Sequence, residues 1–582
     1  MQLLSYVSKV TLIISLSALI ASCGSDSSSG GATGGATTAS ITSFELLDPT
    51  PGAGDEFGQL VVILSNGNIV VSDPNDSSVA ANNGAVHLYN PVTQMLIASI
   101  YGDDANDQFG LGSITALANG NFVLATPVDN LPGAAGAGTV RLINGVSGAQ
   151  IGSTIAGDDP ADGMGFIVTA LANDNFVIAA PLDDLPGLAD AGSVRLVNGT
   201  TGLEIPGGLI TGDDMSDSLG SGGITALSND NFVIASPDDT VSGVLLAGSV
   251  RLVDGTVGTQ LGTAIAGDNP GDSIGISGAI ALPNGNYVIG TPSDDEGAVN
   301  NGSVRLVDGI LGTQIGMEIV GDGGDDGFGF VTALANSNYV LGAPFDDVAP
   351  GPVVNAGSVR LVSGVNGLEI GMIAGDTVND QLGFGDTIAL GNNNFVVASI
   401  LDNEGLIDNG SVRLVSGVTG LEIDMIAGDD NDDQLGLSVT GVTALANDNY
   451  VIASQLDDSG LADKGSVRLV DGMTGTLVVG GTITGSTAND QLGSGGVTAL
   501  ANNDYVIVSP LDDEGGIDFG SVRLVDGATG IQIGASITGT VAGDMSMATV
   551  TGSPGGDYYI LGLSLADKNA VVNSGLVRLI TL

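Results

Sequence analysis

The chain contains no tryptophan, one cysteine, one histidine and only 12 lysines and arginines in 582 residues. A single cysteine excludes a disulfide framework within the chain. A single histidine leaves carboxylates as the only abundant groups for acid–base chemistry. With no tryptophan and aromatics at 4%, the core must be built from Val, Ile, Leu and Ala, and sugar rings lose their best stacking partner. The scarcity of cations removes any surface able to displace counterions from phosphates, so nucleic acid is excluded as a partner. Against those few cations stand 66 acidic residues, giving a net charge of −54. Such a surface stays soluble by self-repulsion, attracts cations and is repelled by anionic membrane surfaces. Hydrophobic residues at 43% exclude disorder from lack of apolar content.

The cysteine marks the cell envelope. Residues 1–22 read as an export signal, with Lys9 as the positive charge and an uncharged apolar stretch from Val10 to Ala21. About 12 residues are too few to span a bilayer core of roughly 30 Å. The stretch runs into Leu19-Ile20-Ala21-Ser22-Cys23-Gly24. This resembles the bacterial lipobox, and the resemblance implies that Cys23 is lipidated and anchors the mature chain. Gly24, in place of an aspartate after the cysteine, implies the outer membrane, with the chain displayed at the surface. Residues 23–40, rich in Ser, Gly and Thr, form a flexible tether with a reach on the order of 20–25 Å.

From residue 41 to 582 one unit repeats ten times. All nine arginines share a register: Arg141, Arg195, Arg251, Arg305, Arg360, Arg413, Arg468, Arg523 and Arg578 each follow a valine and precede a leucine. They recur at intervals of 53 to 56 residues, and His87 fills the tenth and earliest slot. A residue confined to one register of a repeat serves architecture. Each unit holds four short apolar runs between turn signals such as Asn66-Gly67, Asn119-Gly120 and Asn173-Asp174-Asn175. No run has helical length or period, so each unit is expected to be a four-stranded antiparallel meander. One meander cannot bury both its faces, so neighbouring units must stack.

The ends of the array indicate a ring. The last unit stops after its third strand at Leu576-Val577-Arg578-Leu579-Ile580, and a spare strand, Ile41 to Leu47, precedes the first. Placing that strand on the last unit closes an all-β propeller of ten blades and removes exposed edges. An open solenoid or two five-bladed rings are the alternatives.

Before the first strand, nine units carry Asp-x-[Phe/Leu/Met/Ile]-Gly, from Asp55–Gly58 to Asp490–Gly493, and one spells Gly342-Ala343-Pro344 after its second strand. The pattern resembles the FG-GAP repeat of integrin-α-type propellers, particularly its bacterial form, over nearly all of residues 41–582. That resemblance implies the propeller fold and a role in adhesion or protein interaction. Its calcium-binding hairpin does not carry over. Asn-Gly-Asn or Asn-Asp-Asn in a tight turn falls short of the roughly six to eight oxygens calcium takes.

In a meander, the loop between strands two and three and the loop entering the next unit emerge on one face, and both are acidic. The entering loops hold Asp103/Asp107, Asp158/Asp162, Asp213/Asp217, Asp268/Asp272, Asp322/Asp326, Asp376/Asp380 and Asp429/Asp433. These are candidate ligands for calcium or another hard cation. The competing reading is structural, with the Asp-x-Phe-Gly aspartate capping its turn or pairing with the arginine column. An Asp–Arg pair is expected in most units, since an unpaired buried arginine is costly.

No unit carries the distinctive insertion of a unique active site. The chain therefore reads as a non-enzymatic, lipid-anchored surface propeller that binds a protein or glycan, assisted by a cation such as calcium, with no other cofactor indicated. A carbohydrate-active hydrolase or lyase working through carboxylate pairs is the alternative. A passive acidic coat protein is the third reading.

Overall fold

The computed structural model describes residues 42–582 apart from 296–298, 325, 349–352, 386, 459 and 569–570. The export signal, the lipidated Cys23 and the tether expected over residues 1–40 lie outside the described residues. What is described is all-β: ten four-stranded antiparallel sheets and no helix among the described residues. The blades span residues 61–101, 114–156, 167–211, 223–266, 279–320, 330–374, 387–427, 442–484, 497–538 and 548–581. They are numbered here 1 to 10.

Blade 3 shows how the sequence builds each sheet. Ile167–Ala170 pairs with Phe176–Ala180 across the turn at Asn173-Asp174-Asn175, where Asp174 takes φ 67°. Phe176–Ala180 then pairs with Ser193–Val197, placing Arg195 opposite Ile178. The fourth strand, Glu204–Thr211, runs the full distance to the next unit, well past the short Leu203-Glu204-Ile205 run visible in the sequence. It is the outer strand and largely exposed, so hydrophobicity does not mark its length. The second and third strands hold most of the core: Phe176–Ala180 is buried throughout, as are its counterparts in every blade. The few aromatics occupy fixed slots. Phe122, Phe176, Phe232, Tyr287, Tyr339, Phe395, Tyr450, Tyr505 and Tyr559 each open or nearly open a second strand and are fully buried.

Neighbouring blades are joined by three recurring devices. The first is the residue between Asp and Gly of the entering motif (Phe57, Phe109, Met164, Leu219, Ile274, Phe328, Leu382, Leu435, Leu492), which is buried against the preceding blade. The glycine after it has positive φ, and a Cβ on Gly165 would lie 2.6 Å from Val140 of that blade. Second, threonines of the first strands bond across: Thr169 Oγ1 donates to Ile224 O at 3.2 Å and Thr225 Oγ1 to Ala279 O at 2.7 Å.

The third device explains the Asn-x-Asn turns. In blade 1, Asn66 and Asn68 both donate their amides to Gly145 O of blade 2, at 3.0 and 2.7 Å. The same clasp recurs down to Asn447 and Asn449, which hold Gly527 O at 2.9 and 3.0 Å. The clasped residue must be glycine, because a Cβ on Gly199 would sit 1.9 Å from Asp174 O. These amides therefore grip the neighbouring blade.

The ring closes as the chain ends indicated. Thr42–Leu46 pairs antiparallel with Leu576–Thr581 and completes blade 10 as its outer strand. Blade 10 then packs on blade 1 through a shared core of Leu46, Phe57, Val61, Ile69, Val71, Tyr89, Ile560, Val577 and Leu579. Thr551 Oγ1 donates to Val61 O at 2.9 Å across this seam.

Candidate functional site: the carboxylate face and its arginine column

The two acidic loops of each unit converge on one face. In blade 3 Asp158, Asp162 and Asp183 each place a carboxylate oxygen within 4.8 Å of the others, and Asp103, Asp107 and Asp129 do so in blade 2. Asp213, Asp217 and Asp239 form the next trio, followed by Asp268, Asp272 and Asp294.

The three members do different work. The motif aspartate is buried and caps its own loop. Asp162 Oδ2 accepts the N–H groups of Asp158 and Asp159 at 2.9 and 2.7 Å, and Asp217, Asp272 and Asp433 repeat the arrangement. Asp107 and Asp326 each accept one such N–H at 2.7 and 2.6 Å, and Asp380 accepts Asp376 N–H at 3.0 Å. The second oxygen reaches the other loop, as when Asp433 Oδ1 accepts Asp458 N–H at 3.3 Å. Burial is the largest influence on Asp107, Asp162, Asp272, Asp326 and Asp433 and pushes their carboxyls upward against these hydrogen bonds.

The aspartate from the loop between strands two and three meets the arginine. Asp129, Asp183, Asp239, Asp294, Asp346, Asp402, Asp457 and Asp512 pair with Arg141, Arg195, Arg251, Arg305, Arg360, Arg413, Arg468 and Arg523. Separations run from 3.8 Å for Arg141–Asp129 to 2.5 Å for Arg523–Asp512. The same carboxylate accepts the hydroxyl of the small residue two before the arginine: Thr139 in blade 2 and Ser193, Ser249, Ser303, Ser358, Ser411, Ser466 and Ser521 in blades 3 to 9. Burial disfavours the charge on Arg468, but the hydrogen bond and charge of Asp457, then Asp429, outweigh it and raise its pKa.

The expected Asp–Arg pairs are therefore present in eight blades, and their partner is the aspartate after strand two rather than the one in the Asp-x-Phe-Gly motif. Neither composition nor spacing distinguishes these two aspartates; only the folding-back of the second loop does.

The third member (Asp103, Asp158, Asp213, Asp268, Asp322, Asp376, Asp429) is exposed. Four of the seven reach the arginine from outside: Asp103 at 3.2 Å, Asp213 at 3.4 Å, Asp322 at 3.9 Å and Asp429 at 2.9 Å.

Two blades depart, and they flank the seam. In blade 10 Ala566 and Leu576 occupy the aspartate and serine positions, so Arg578 has no carboxylate within ion-pair distance among the described residues. In blade 1 His87 replaces the arginine and Ala85 the serine.

Five stretches, residues 170–210, 226–269, 281–316, 444–494 and 499–547, match the family described as a repeat of unknown function (DUF5650). The first match begins at the end of one first strand and finishes at the end of the fourth, and so follows a single blade. No curated protein sequence matches the chain. Among solved structures, a computationally designed protein, Ika8, is similar at 15% identity over 71% of this chain and 95% of its own, with a TM-score of 0.34. A streptogramin B lyase is similar at 12% identity over 61% of this chain and 92% of its own, with a TM-score of 0.31.

Proposed function

We propose that this chain is a non-enzymatic binding module of FG-GAP-like architecture, anchored by lipid on Cys23 at the bacterial surface, which docks a protein partner through its carboxylate face. The observation that carries this reading is the mixed chemistry of that face. Exposed aspartates from the entering loops alternate with exposed apolar side chains: Leu111, Phe166, Ile276, Phe330 and Phe384 beside the first strands, and Leu182, Ile407 and Ile517 in the other loops. Aromatic and aliphatic anchors among charges are what a protein interface uses. One cavity there, of about 250 Å³ and lined by Asp162, Phe166, Leu182, Ser218, Ser221 and Asp238, is the size of a partner side chain rather than a substrate pocket.

The inner carboxylates of blades 2 to 9 already face guanidinium groups. Of the outer ones, Asp103, Asp213, Asp322 and Asp429 share an arginine, and Asp158, Asp268 and Asp376 are left for a partner's basic groups or for calcium.

The test compares surface-displayed wild type with two variants for capture of partner from the native surroundings, with and without chelator. Replacing Phe166, Phe330 and Phe384 together by alanine should abolish capture. Replacing Val257, Val365 and Met473 in the tight turns of the opposite face should not. Equal capture by both variants would count against the reading, as would glycan turnover lost on a single aspartate substitution. Cys23→Ser should release the chain from the membrane.

A further inference from the structure

Blade 1 breaks the repeat's symmetry with a buried polar cluster. His87 stands in the arginine slot, and Asp73 stands where other blades have Thr126, Ala180 or Ser236. Both side chains are fully buried. Both oxygens of Asp73, Nε2 of His87 and Oδ2 of Asp48 have no hydrogen-bond partner among the described residues. The remaining atoms of the trio are held in place. Asp48 Oδ1 accepts Thr50 N–H at 2.7 Å, and His87 Nδ1 bonds the Ser99 hydroxyl at 2.9 Å. With Nδ1 engaged, Nε2 presents towards Asp73 Oδ2, 3.6 Å away. That separation is too long for a hydrogen bond. It is close to the edge of about 3.4 Å between two ligands each about 2.1 Å from one tetrahedral ion. One atom from each of Asp48, Asp73 and His87 lies within 4.8 Å of the others.

We propose that Asp48, Asp73 and His87 bind a divalent transition metal of the zinc class at the seam where the ring closes. An imidazole nitrogen with carboxylate oxygens suits zinc and its neighbours, whereas calcium takes oxygen ligands alone. The surrounding charge favours a cation. Asp55 and Asp76 are buried beside the trio, and the ammonium group of Lys568 is engaged by Glu45.

The position gives the ion a task. Asp48 follows the closing strand Thr42–Leu46, whereas Asp73 and His87 belong to the second and third strands of blade 1. Pro91 replaces the clasped glycine of blades 2 to 9, so the seam lacks the Asn–Gly clasp among the described residues. A metal shared by these residues latches the ring instead. The site is independent of whatever the carboxylate face binds.

The full chain, stripped with chelator, is titrated with zinc chloride by calorimetry and melted with zinc or calcium added. One saturable zinc site per chain is expected, with a rise in Tm for zinc and none for calcium. His87→Arg restores the residue that the other blades use and should fold while binding zinc at least 100-fold more weakly. Asp48→Ala, outside the repeats, should weaken binding without unfolding the chain. Val365→Ala, in a tight turn of the opposite face, should bind as wild type. Cobalt in place of zinc should give visible absorption bands that His87→Arg lacks. No saturable zinc binding, or undiminished binding by both His87→Arg and Asp48→Ala, would overturn the site.

Discussion

Phe44, near the start of the described chain, lies directly opposite Leu579, three residues from its end. Two residues on, Leu46 is fully buried in the core shared by blades 10 and 1, and Tyr89 of blade 1 donates its hydroxyl to Leu47 O at 2.7 Å. The closing strand is thus a keystone for two blades. Leu46→Ala should cost about 2–5 kcal/mol, as for a fully buried leucine. Deleting residues 41–47 should expose the edge of Leu576–Thr581 and drive self-association. Thermal melts and gel filtration check both. A deletion that leaves Tm and monomer content unchanged would remove the keystone role.

The arginine column should divide by burial. Arg468 is among the most buried and holds Asp457 at 2.6 Å and Asp429 at 2.9 Å, so Arg468→Ala should cost about 3–5 kcal/mol by removing the guanidinium that balances the buried charge of Asp457. Arg578 faces Ala566 instead of an aspartate, and Arg578→Ala should cost under about 1 kcal/mol. Denaturant unfolding of the two variants tests the contrast, and equal losses would refute it.

The inter-blade clasp is open to the same approach. Replacing both Asn284 and Asn286 by alanine removes two hydrogen bonds to Gly364 O, at 2.8 and 3.0 Å, and should cost about 1–3 kcal/mol. Gly364→Ala should cost at least as much, because the new Cβ would lie 1.8 Å from Ser337 O. A Gly364→Ala variant as stable as wild type would contradict the packing.

Acidity should stabilise the metal-free protein. Burial raises the carboxyls of Asp107, Asp162, Asp272, Asp326 and Asp433 above their ordinary 3.8, and raises Asp48 to about 6. A folded pKa above the unfolded value means that the native state holds more protons, so stability falls as pH climbs from about 4 through those values. His87 acts oppositely. Lowered from 6.5 to about 4, it makes stability rise with pH between those values, but it is a single group. Tm of chelator-treated protein should therefore be higher at pH 5 than at pH 8. The reverse order would mean that the buried carboxyls are ionised throughout.

Most of the architecture was legible because the determinants are local and repeated. Turn residues such as Asn119-Gly120 fix the hairpins, the Val-Arg-Leu register fixes the third strands, and the strand surplus at one end matches the deficit at the other. What escaped the sequence depends on which loops meet in space. The partner of Arg195 is Asp183 rather than Asp162, although both are aspartates at fixed offsets. The cluster in blade 1 escaped because Asp48 lies outside the repeats and Asp73 replaces a small residue, so no pattern joins them. Its one visible sign was His87 in the arginine slot.

The eight Asn–Gly clasps all point the same way round the disc, each blade holding the one after it. A unit gripped behind and gripping ahead is interchangeable with its neighbours. Genetic duplication or loss of one such unit would leave every remaining joint matched, and the disc would widen or narrow without any blade being redesigned. Only the two joints of blade 10, to blade 9 and across the termini to blade 1, fall outside this interchangeable set, so they must be kept while the number of blades drifts.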